Sequence, residues 1–485
     1  MDENNNLLTN SNKFGSYTTD HSLELSTSER NRELATNTSK ELIIIIKSSL
    51  PLIVTLLLQY SLTVFSIFSV GKLGKKELAS VSLATITYNV TVSIFNGMAT
   101  SLDTYCAQAH GAGNYPMVSI YFQRCSAMIL ITSIPIIAFW CFSASILKYV
   151  VPEKELLLLA QQYLRYLSLG TPGYIMFETG KRFLQCQGIY SAGQYCLFLV
   201  APLNIVLNLF LVWNKDHGLG FIGAPISIVI SYWMMSLLLL MYVVFIDGKK
   251  CWFGLKLKLA FNVKEWTSMF SLALNGTAML LSEFIAFEIL TLSASRFGTT
   301  ALAAQSIAST MATLSFQLPF GVSIALSTRV AQHIGLQNLL AAVIANKVTY
   351  ALSGLLGLSS CLFLVSCRYF LASCFTSDSE VIIIGLRLIS ILGVNQLYDC
   401  PNVILAGCLR GQGRQKIGSL LNLFAYYVVA VPLALTLAFC FKLTLVGLWV
   451  GIGVGIVTLA ACEFWFVYHS NWEEILERSR QRISE

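Results

Sequence analysis

The sequence predicts an all-α membrane protein of twelve transmembrane helices, arranged as two parallel six-helix repeats. Three observations predict it: an apolar composition, the spacing of long apolar runs, and an internal repeat that needs no gap. Of the 485 residues, 55% are hydrophobic and 12% charged, with a mean hydropathy of +0.67. That is more apolar surface than one water-soluble core encloses, so lipid must cover much of it. Apolar runs separated by polar or charged punctuation predict spans near 42–70, 77–107, 121–150, 156–180, 191–213 and 219–246. A second set follows near 265–295, 300–327, 338–367, 381–409, 417–441 and 444–469. Each reaches the roughly 20 residues that a helix needs to cross the bilayer core. A transmembrane barrel would show short alternating segments instead.

The repeat is visible by eye. Sliding residues 71–111 by 224 positions onto 295–335 sets Gly74, Leu78, Ala79, Ser82, Ala84, Gly97, Leu102, Thr104, Ala107, Gln108 and Gly111 on identical residues. The same shift puts Gly223 on Gly447, while shifts of 222 and 225 put Arg165 on Arg387 and Gln187-Gly188 on Gln412-Gly413. Six crossings return the chain to its starting side, so the two copies run parallel. Parallel repeats about an axis along the membrane normal are a transporter architecture, with the substrate path between the copies. A channel more often sets its repeats around a pore.

The chain divides accordingly. Residues 1–40 are rich in Asn, Ser, Thr and charge and lack an apolar stretch, which predicts a disordered cytosolic tail and no secretory signal. Residues 41–246 form one six-helix lobe, 247–264 a basic cytosolic linker, 265–470 the second lobe and 471–485 a cytosolic C-terminal tail. With both termini cytosolic, lysines and arginines concentrate in the inside segments, most densely at 247–264, although Lys72, Lys75 and Lys76 fall in an outside loop. Pro51, Pro202, Pro319, Pro401 and Pro432 fall within spans and mark possible kinks, that at Pro401 directly following Asp399.

Composition also excludes function classes. The net charge of +7 is spread over short loops without a nucleic-acid-binding motif. Thirteen cysteines, an odd number without a C-x-x-C pair, argue against a disulfide framework or a zinc site and read as small packing residues. No metal or cofactor is expected, and no motif of an intramembrane enzyme is present.

Acids inside spans are the strongest functional signal, since each costs roughly 2.5–3.5 kcal/mol at a helix centre on insertion scales unless paired, protonated or wet. Glu283 and Glu288 lie in LLSEFIAFEIL of the seventh span, and Asp399 lies in NQLYDCPNVILAGC of the tenth. Two neighbouring carboxylates in a dry site share a proton, which makes Glu283 and Asp399 candidates for accepting a proton or cation; hydrogen bonding between helices is the structural alternative. Five residues apart on a helix, Glu283 and Glu288 point roughly 140° apart and need not share a cavity. Asp103 and Glu178 sit near helix ends, where interfacial water or a salt bridge would satisfy them and a gating bridge is the functional version. Arg165 and Arg387 can snorkel outward. His110 and His333 are expected in equivalent surface loops.

The run NGMATSLDTYCAQAHGAGNYPMVSIYFQRC, with KRFLQCQG, GLGFIGAPIS and LAGCLRGQG, resembles the multidrug and toxic compound extrusion (MATE) family in its eukaryotic branch, over about residues 40–470. The resemblance implies two lobes around a central cavity that alternates between inward-open and outward-open states, exporting small organic compounds or xenobiotics, cationic or amphipathic, as a monomer in the lipid bilayer. The countertransported ion would be H⁺, or else Na⁺. The family's acidic site carries over onto Glu283 and Asp399, with Glu288 matching a second glutamate of animal-type members. Many prokaryotic members have an aspartate in the first span where this chain has Ser66, and the repeat partner of Glu283 is Gln59. Coupling is therefore expected in the C-terminal half.

A flippase for lipids or oligosaccharide-lipids is the nearest rival, and would want a cationic cavity. A receptor or scaffold is the rival of another class. The host membrane is expected to be vacuolar or plasma membrane. The sequons at Asn37, Asn89 and Asn275 are predicted to stay unglycosylated, one being cytosolic and two lying in spans. A glycan on Asn37, read as a mass shift on treatment with an N-glycosidase, would overturn the topology.

Overall fold

The computed structural model describes residues 36–148, 153–214, 218–376 and 378–484, so most of the predicted N-terminal tail lies outside the described residues. Among the described residues all regular structure is helical. The first half holds α1 (Thr38–Gly71), α2 (Lys75–Gly111), α3 (Tyr115–Cys141), α4 in two pieces (Lys154–Ser168 and Thr171–Gln185), α5 (Ala192–Trp213) and α6 (Gly220–Phe245). The second half holds α7 (Thr267–Ala294), α8 (Thr299–Gly335), α9 (Leu339–Ser373), α10 (Ser379–Gly411), α11 (Gln415–Cys440) and α12 (Thr444–Tyr468). A further helix, α13 (Trp472–Ser484), occupies the predicted tail.

Among the described residues eleven helices are long and apolar enough to span a bilayer, and α4 makes twelve only when its two pieces are taken together. Its break has a local cause. The first piece ends at Ser168, Gly170 caps the start of the second, and Pro172 sits in the second piece's first turn, where a missing N–H costs nothing. A β-carbon on Gly170 would lie 3.1 Å from the Tyr232 ring, so glycine also lets α6 approach. The third span is earlier than predicted: Asn114 accepts a hydrogen bond from the Met117 N–H at its start, Pro116 follows, and the helix stops at Cys141. The helix of α10 continues unbroken through Pro401, whereas α11 widens into π-helical turns at Phe424–Ala430 and Thr436–Cys440, on either side of Pro432. There α12 lays Gly447, Gly451 and Gly455 against Ala438, Ala434 and Ala430, a small-residue seam that lets two backbones meet.

The buried apolar residues form three clusters. One lies mostly in the first half, one lies wholly in the second, and the third joins the start of α1 to α8, α9, α10, α12 and α13. The starts of α1 and α7 are thus exchanged. Ile45 and Leu52 of α1 pack in the second half, while Met269 and Ala273 of α7 pack in the first. Ile45 and Met269 are equivalent under the 224-residue shift.

The same exchange organises the end of the molecule where α1 and α7 begin and α2, α4, α8 and α10 finish. Gly97 abuts Thr277 and Gly321 abuts Ile53; each residue of the first pair has its repeat equivalent in the second. Gly111 meets the Gln332 backbone as Gly335 meets that of Gln108. Gln108 donates its amide to the Gly411 carbonyl at 3.2 Å, and Gln332 donates to the Cys186 carbonyl at 2.9 Å. These pairs are one interaction made twice about a pseudo-two-fold axis, and they close this end. Over it lies α13, with Ile475 and Leu476 buried, the Tyr121 hydroxyl donating to the Arg482 carbonyl at 3.1 Å and Arg482 reaching Gln108 at 3.2 Å.

Because the contacts are duplicated, Gly111→Leu and Gly335→Leu should loosen this end alike. Overpacking of this kind costs about 1–3 kcal/mol. Thermal unfolding in detergent is expected to show similar falls in Tm for both, and a marked difference between them would show that the two halves of the interface are unequal.

Candidate functional site

Behind the closed end, a cavity of about 350 Å³ lies between the halves, within the size range of small-molecule sites. Its two walls differ chemically. The first half presents Gln59, Tyr60 and Thr63 from α1, Tyr88, Asn89 and Asn96 from α2, Tyr174 from α4 and Tyr232 from α6. These are neutral hydrogen-bonding groups, locked by pairing: the Tyr88 and Tyr232 hydroxyls lie 2.7 Å apart, and the Tyr174 hydroxyl donates to Asn96 Oδ1 at 2.9 Å. The second half presents Phe284, Phe287, Phe316, Phe320 and Trp449 together with Glu283, Glu288 and Asp399. Phe316 stacks on Phe320 with ring centroids 5.2 Å apart, and Trp449 is fixed by donating to Gln305 Oε1 at 2.8 Å.

Glu283, Glu288 and Asp399 all line this one cavity. Glu283 and Asp399 are electrostatic neighbours, and the Gln396 amide approaches Asp399 Oδ2 at 3.4 Å. The inclusion of Glu288 goes beyond the angular expectation, and the reason is the breadth of the α7 face. Leu280, Glu283, Phe284, Phe287, Glu288 and Thr291 line the cavity together, a stripe of three- and four-residue steps wide enough to take both glutamates.

The charges on the opposite wall are spoken for. Lys181 holds Glu178 Oε1 at 2.8 Å and Gln59 Oε1 at 3.0 Å, and Gln59 returns its amide to Glu178 at 2.8 Å. Arg182 holds Asp103 Oδ1 at 2.5 Å. Asp103 and Glu178 are therefore not at the interface with water: they are 4% and 6% exposed, and buried cations satisfy them. Ser66, the position at which many prokaryotic members of the resembled family have an aspartate, is fully buried with its hydroxyl 3.3 Å from that of Tyr163. Arg165 is exposed and donates to the Cys141 carbonyl at 2.8 Å.

Two buried acids escaped the sequence reading. Glu41, at the start of α1, accepts both Nε and Nη2 of Arg329 at 2.9 Å and lies 3.2 Å from His333, tying α1 to α8 across the halves. His333 is consequently buried within α8 rather than exposed in a loop. Glu463 of α12 is fully buried near Arg410. An acid in the run TLAACEFWFVY was visible by the rule that picked out Glu283; the partner of Glu41 was not, being 288 residues away.

The chain matches the family model MatE over residues 51–210 and 277–436, one match to each half. It is 44% identical over 428 residues to an uncharacterized transporter of Saccharomyces cerevisiae, covering 88% of this chain and 61% of that protein, so it spans under two thirds of that relative's length. It is 30% identical over 415 residues to Multidrug and toxin extrusion protein 1 of Pongo abelii, covering 84% of this chain and 71% of that one. The crystal structure of the eukaryotic MATE transporter AtDTX14 superposes with a TM-score of 0.85 at 27% identity, covering 92% of this chain and 99% of that one.

Removing one partner of a buried ion pair typically costs 3–5 kcal/mol, because the other charge is left unpaired. Glu178→Gln should therefore destabilise the protein markedly through Lys181, and Glu178→Gln combined with Lys181→Met should recover much of the loss. Melting temperatures of the three proteins check this.

Proposed function

This chain belongs to the MATE family of transporters, as a multi-pass integral membrane protein and not an enzyme, and we propose that it exports organic cations or amphipathic xenobiotics in exchange for protons. The observation that supports this best is the one-sided charge of the cavity. Three carboxylates, Glu283, Glu288 and Asp399, share a wall with five aromatic rings, while Lys181 and Arg182 opposite are held by Glu178 and Asp103. Aromatic faces and carboxylates attract the same class of ligand, a partly desolvated organic cation. An anionic lipid headgroup would find its cationic partners already engaged, which disfavours a flippase.

In this reading the two lobes, residues 41–246 and 265–470, rock about the cavity while the 247–264 linker keeps them joined. The basic linker and both termini face the cytosol. The closed end is then the cytosolic gate, and the conformation described is the outward-facing one. A proton taken by Glu283 or Asp399 lowers the cavity's attraction for a cation, so proton and substrate compete for one wall, and competition yields exchange. One proton in for each monovalent cation out cancels the membrane potential, and one pH unit, about 1.4 kcal/mol, then sustains about a tenfold substrate gradient. A second proton, through Glu288, adds roughly 2.3 kcal/mol per 100 mV besides another pH term.

Uptake of a panel of organic cations into proteoliposomes under imposed pH or sodium gradients tests the reading. Glu283→Gln and Asp399→Asn should each abolish pH-driven transport with folding retained, since the amides keep shape and lose the titratable charge, and Glu288→Gln should do less. Export by the first two variants at the parent's rate would show these acids to be structural, and uptake driven by sodium but not by pH would replace the ion.

A further inference from the structure

One buried acid belongs to neither the cavity nor the gate pairs. Glu463 of α12 is 0% exposed, and neither of its carboxylate oxygens has a hydrogen-bond partner among the described residues. Arg410 and Cys408 of α10, Glu283 of α7 and Tyr426 of α11 are its electrostatic neighbours, and α12 packs along α10 in the register that sets Asn395 on Trp449 and Arg414 on Phe466. Arg410 is the cation of this set, and it is itself incompletely paired. Its Nη2 donates to Ser323 Oγ at 2.7 Å, but its Nε stands 3.9 Å from Asp103 Oδ2, and neither of those two atoms has a hydrogen-bond partner. Asp103 lies in the other half, where its second oxygen is held by Arg182. Arg410 thus stands among three acids, Asp103 across the gate and, within its own half, Glu463 and the cavity-lining Glu283, with which it shares a small pocket.

We propose that Glu463 is a proton-binding site and that Arg410 leaves Asp103 for Glu463 when the end closed in this structure opens. Opening parts Arg410 from Asp103 by necessity, because they sit on separate halves. Asp103 keeps Arg182 and remains neutralised. Arg410 is left with an empty donor, and of the two acids near it in its own half Glu283 opens onto the cavity whereas Glu463 is shut away from it with both oxygens unpartnered, which makes Glu463 the acceptor. A carboxylate buried without a partner is costly as an anion and inexpensive as an acid, so Glu463 carries a proton while Arg410 faces Asp103. As Arg410 closes on it, the O–H bond breaks, the electron pair stays on the carboxylate and the proton passes to water entering the opened end. Reclosure returns Arg410 to Asp103, and Glu463 takes a proton again. Binding a proton therefore favours the closed end, and losing it favours opening. Cys408 and Tyr426 are neutral neighbours.

The use of this switch in transport rests on the proton-antiport reading, but the switch itself does not. Hydrogen exchange of the full-length protein in lipid nanodiscs, with no substrate and no gradient, reads the opening of residues 101–111 and 326–335 directly. In the parent, exchange corrected for the chemical rate should quicken as the medium is raised from about pH 5.5 to about pH 8. Glu463→Gln, permanently neutral, should slow exchange at the upper pH by at least about threefold and flatten its pH profile. Asp103→Asn should quicken exchange at every pH, because it removes the acid that holds both Arg182 and Arg410 at the gate. A purely structural Glu463 would make both substitutions loosen the end. The proposal is overturned if Glu463→Gln keeps the parent's profile or exchanges faster. It is equally overturned, even where Glu463→Gln does not fold, if Asp103→Asn leaves exchange unchanged or slower.

Discussion

The structure depends on backbone-to-backbone closure at one end of the two halves. Lipid supplies no drive for two apolar surfaces to meet, so helices in a membrane associate through close packing and hydrogen bonds. Gly97, Gly111, Gly321 and Gly335 supply the packing, each standing where a β-carbon would collide with the opposite half. Gln108 and Gln332 supply the bonds, each giving its amide to a helix-end carbonyl of the opposite half. With this end shut, the space behind it remains as a cavity, and its walls are whatever the two copies have become since they were alike.

They have become unlike in charge. Position for position, Gln59 stands against Glu283, and the first copy has spent its own carboxylates on cations: Asp103 on Arg182, Glu178 on Lys181. The second copy leaves Glu283, Glu288 and Asp399 facing the cavity among aromatic rings. The shared scaffold fixes the geometry of the cavity, and divergence at a few positions makes one wall a rigid hydrogen-bonding surface and the other the acidic one.

Much of this was legible in the sequence, for identifiable reasons. Span length and apolarity are set by the bilayer, so all twelve crossings could be placed, and a gapless repeat announced the two halves. The break in α4 was missed because Gly170 and Pro172 are two residues in a run whose average stays apolar. Glu283, Glu288 and Asp399 stood out because a carboxylate inside an apolar run carries an insertion cost wherever its partner lies. Asp103 has the salt bridge expected of it, though buried rather than at interfacial water, and Glu41 was passed over; the cations that satisfy them, Arg182 and Arg329, lie 79 and 288 residues away. Pairings made by the fold at such separations leave no local mark, and they decide whether an acid is free to titrate.

The exchanged contacts carry a last consequence. An interface in which residue i of one copy meets residue j of the other, while j of the first meets i of the second, is self-complementary: the surface that each half offers is the surface it needs. Ile45 and Met269, Gln108 and Gln332, Gly111 and Gly335 all obey that rule. A single six-helix unit with this face could have paired with a second copy of itself before any linker joined them, because parallel copies in one membrane already present the two faces in the required orientation. Held in one chain, each copy needs to match its twin only at the axis. The glycines and glutamines there are the part of the old symmetry that closure still enforces.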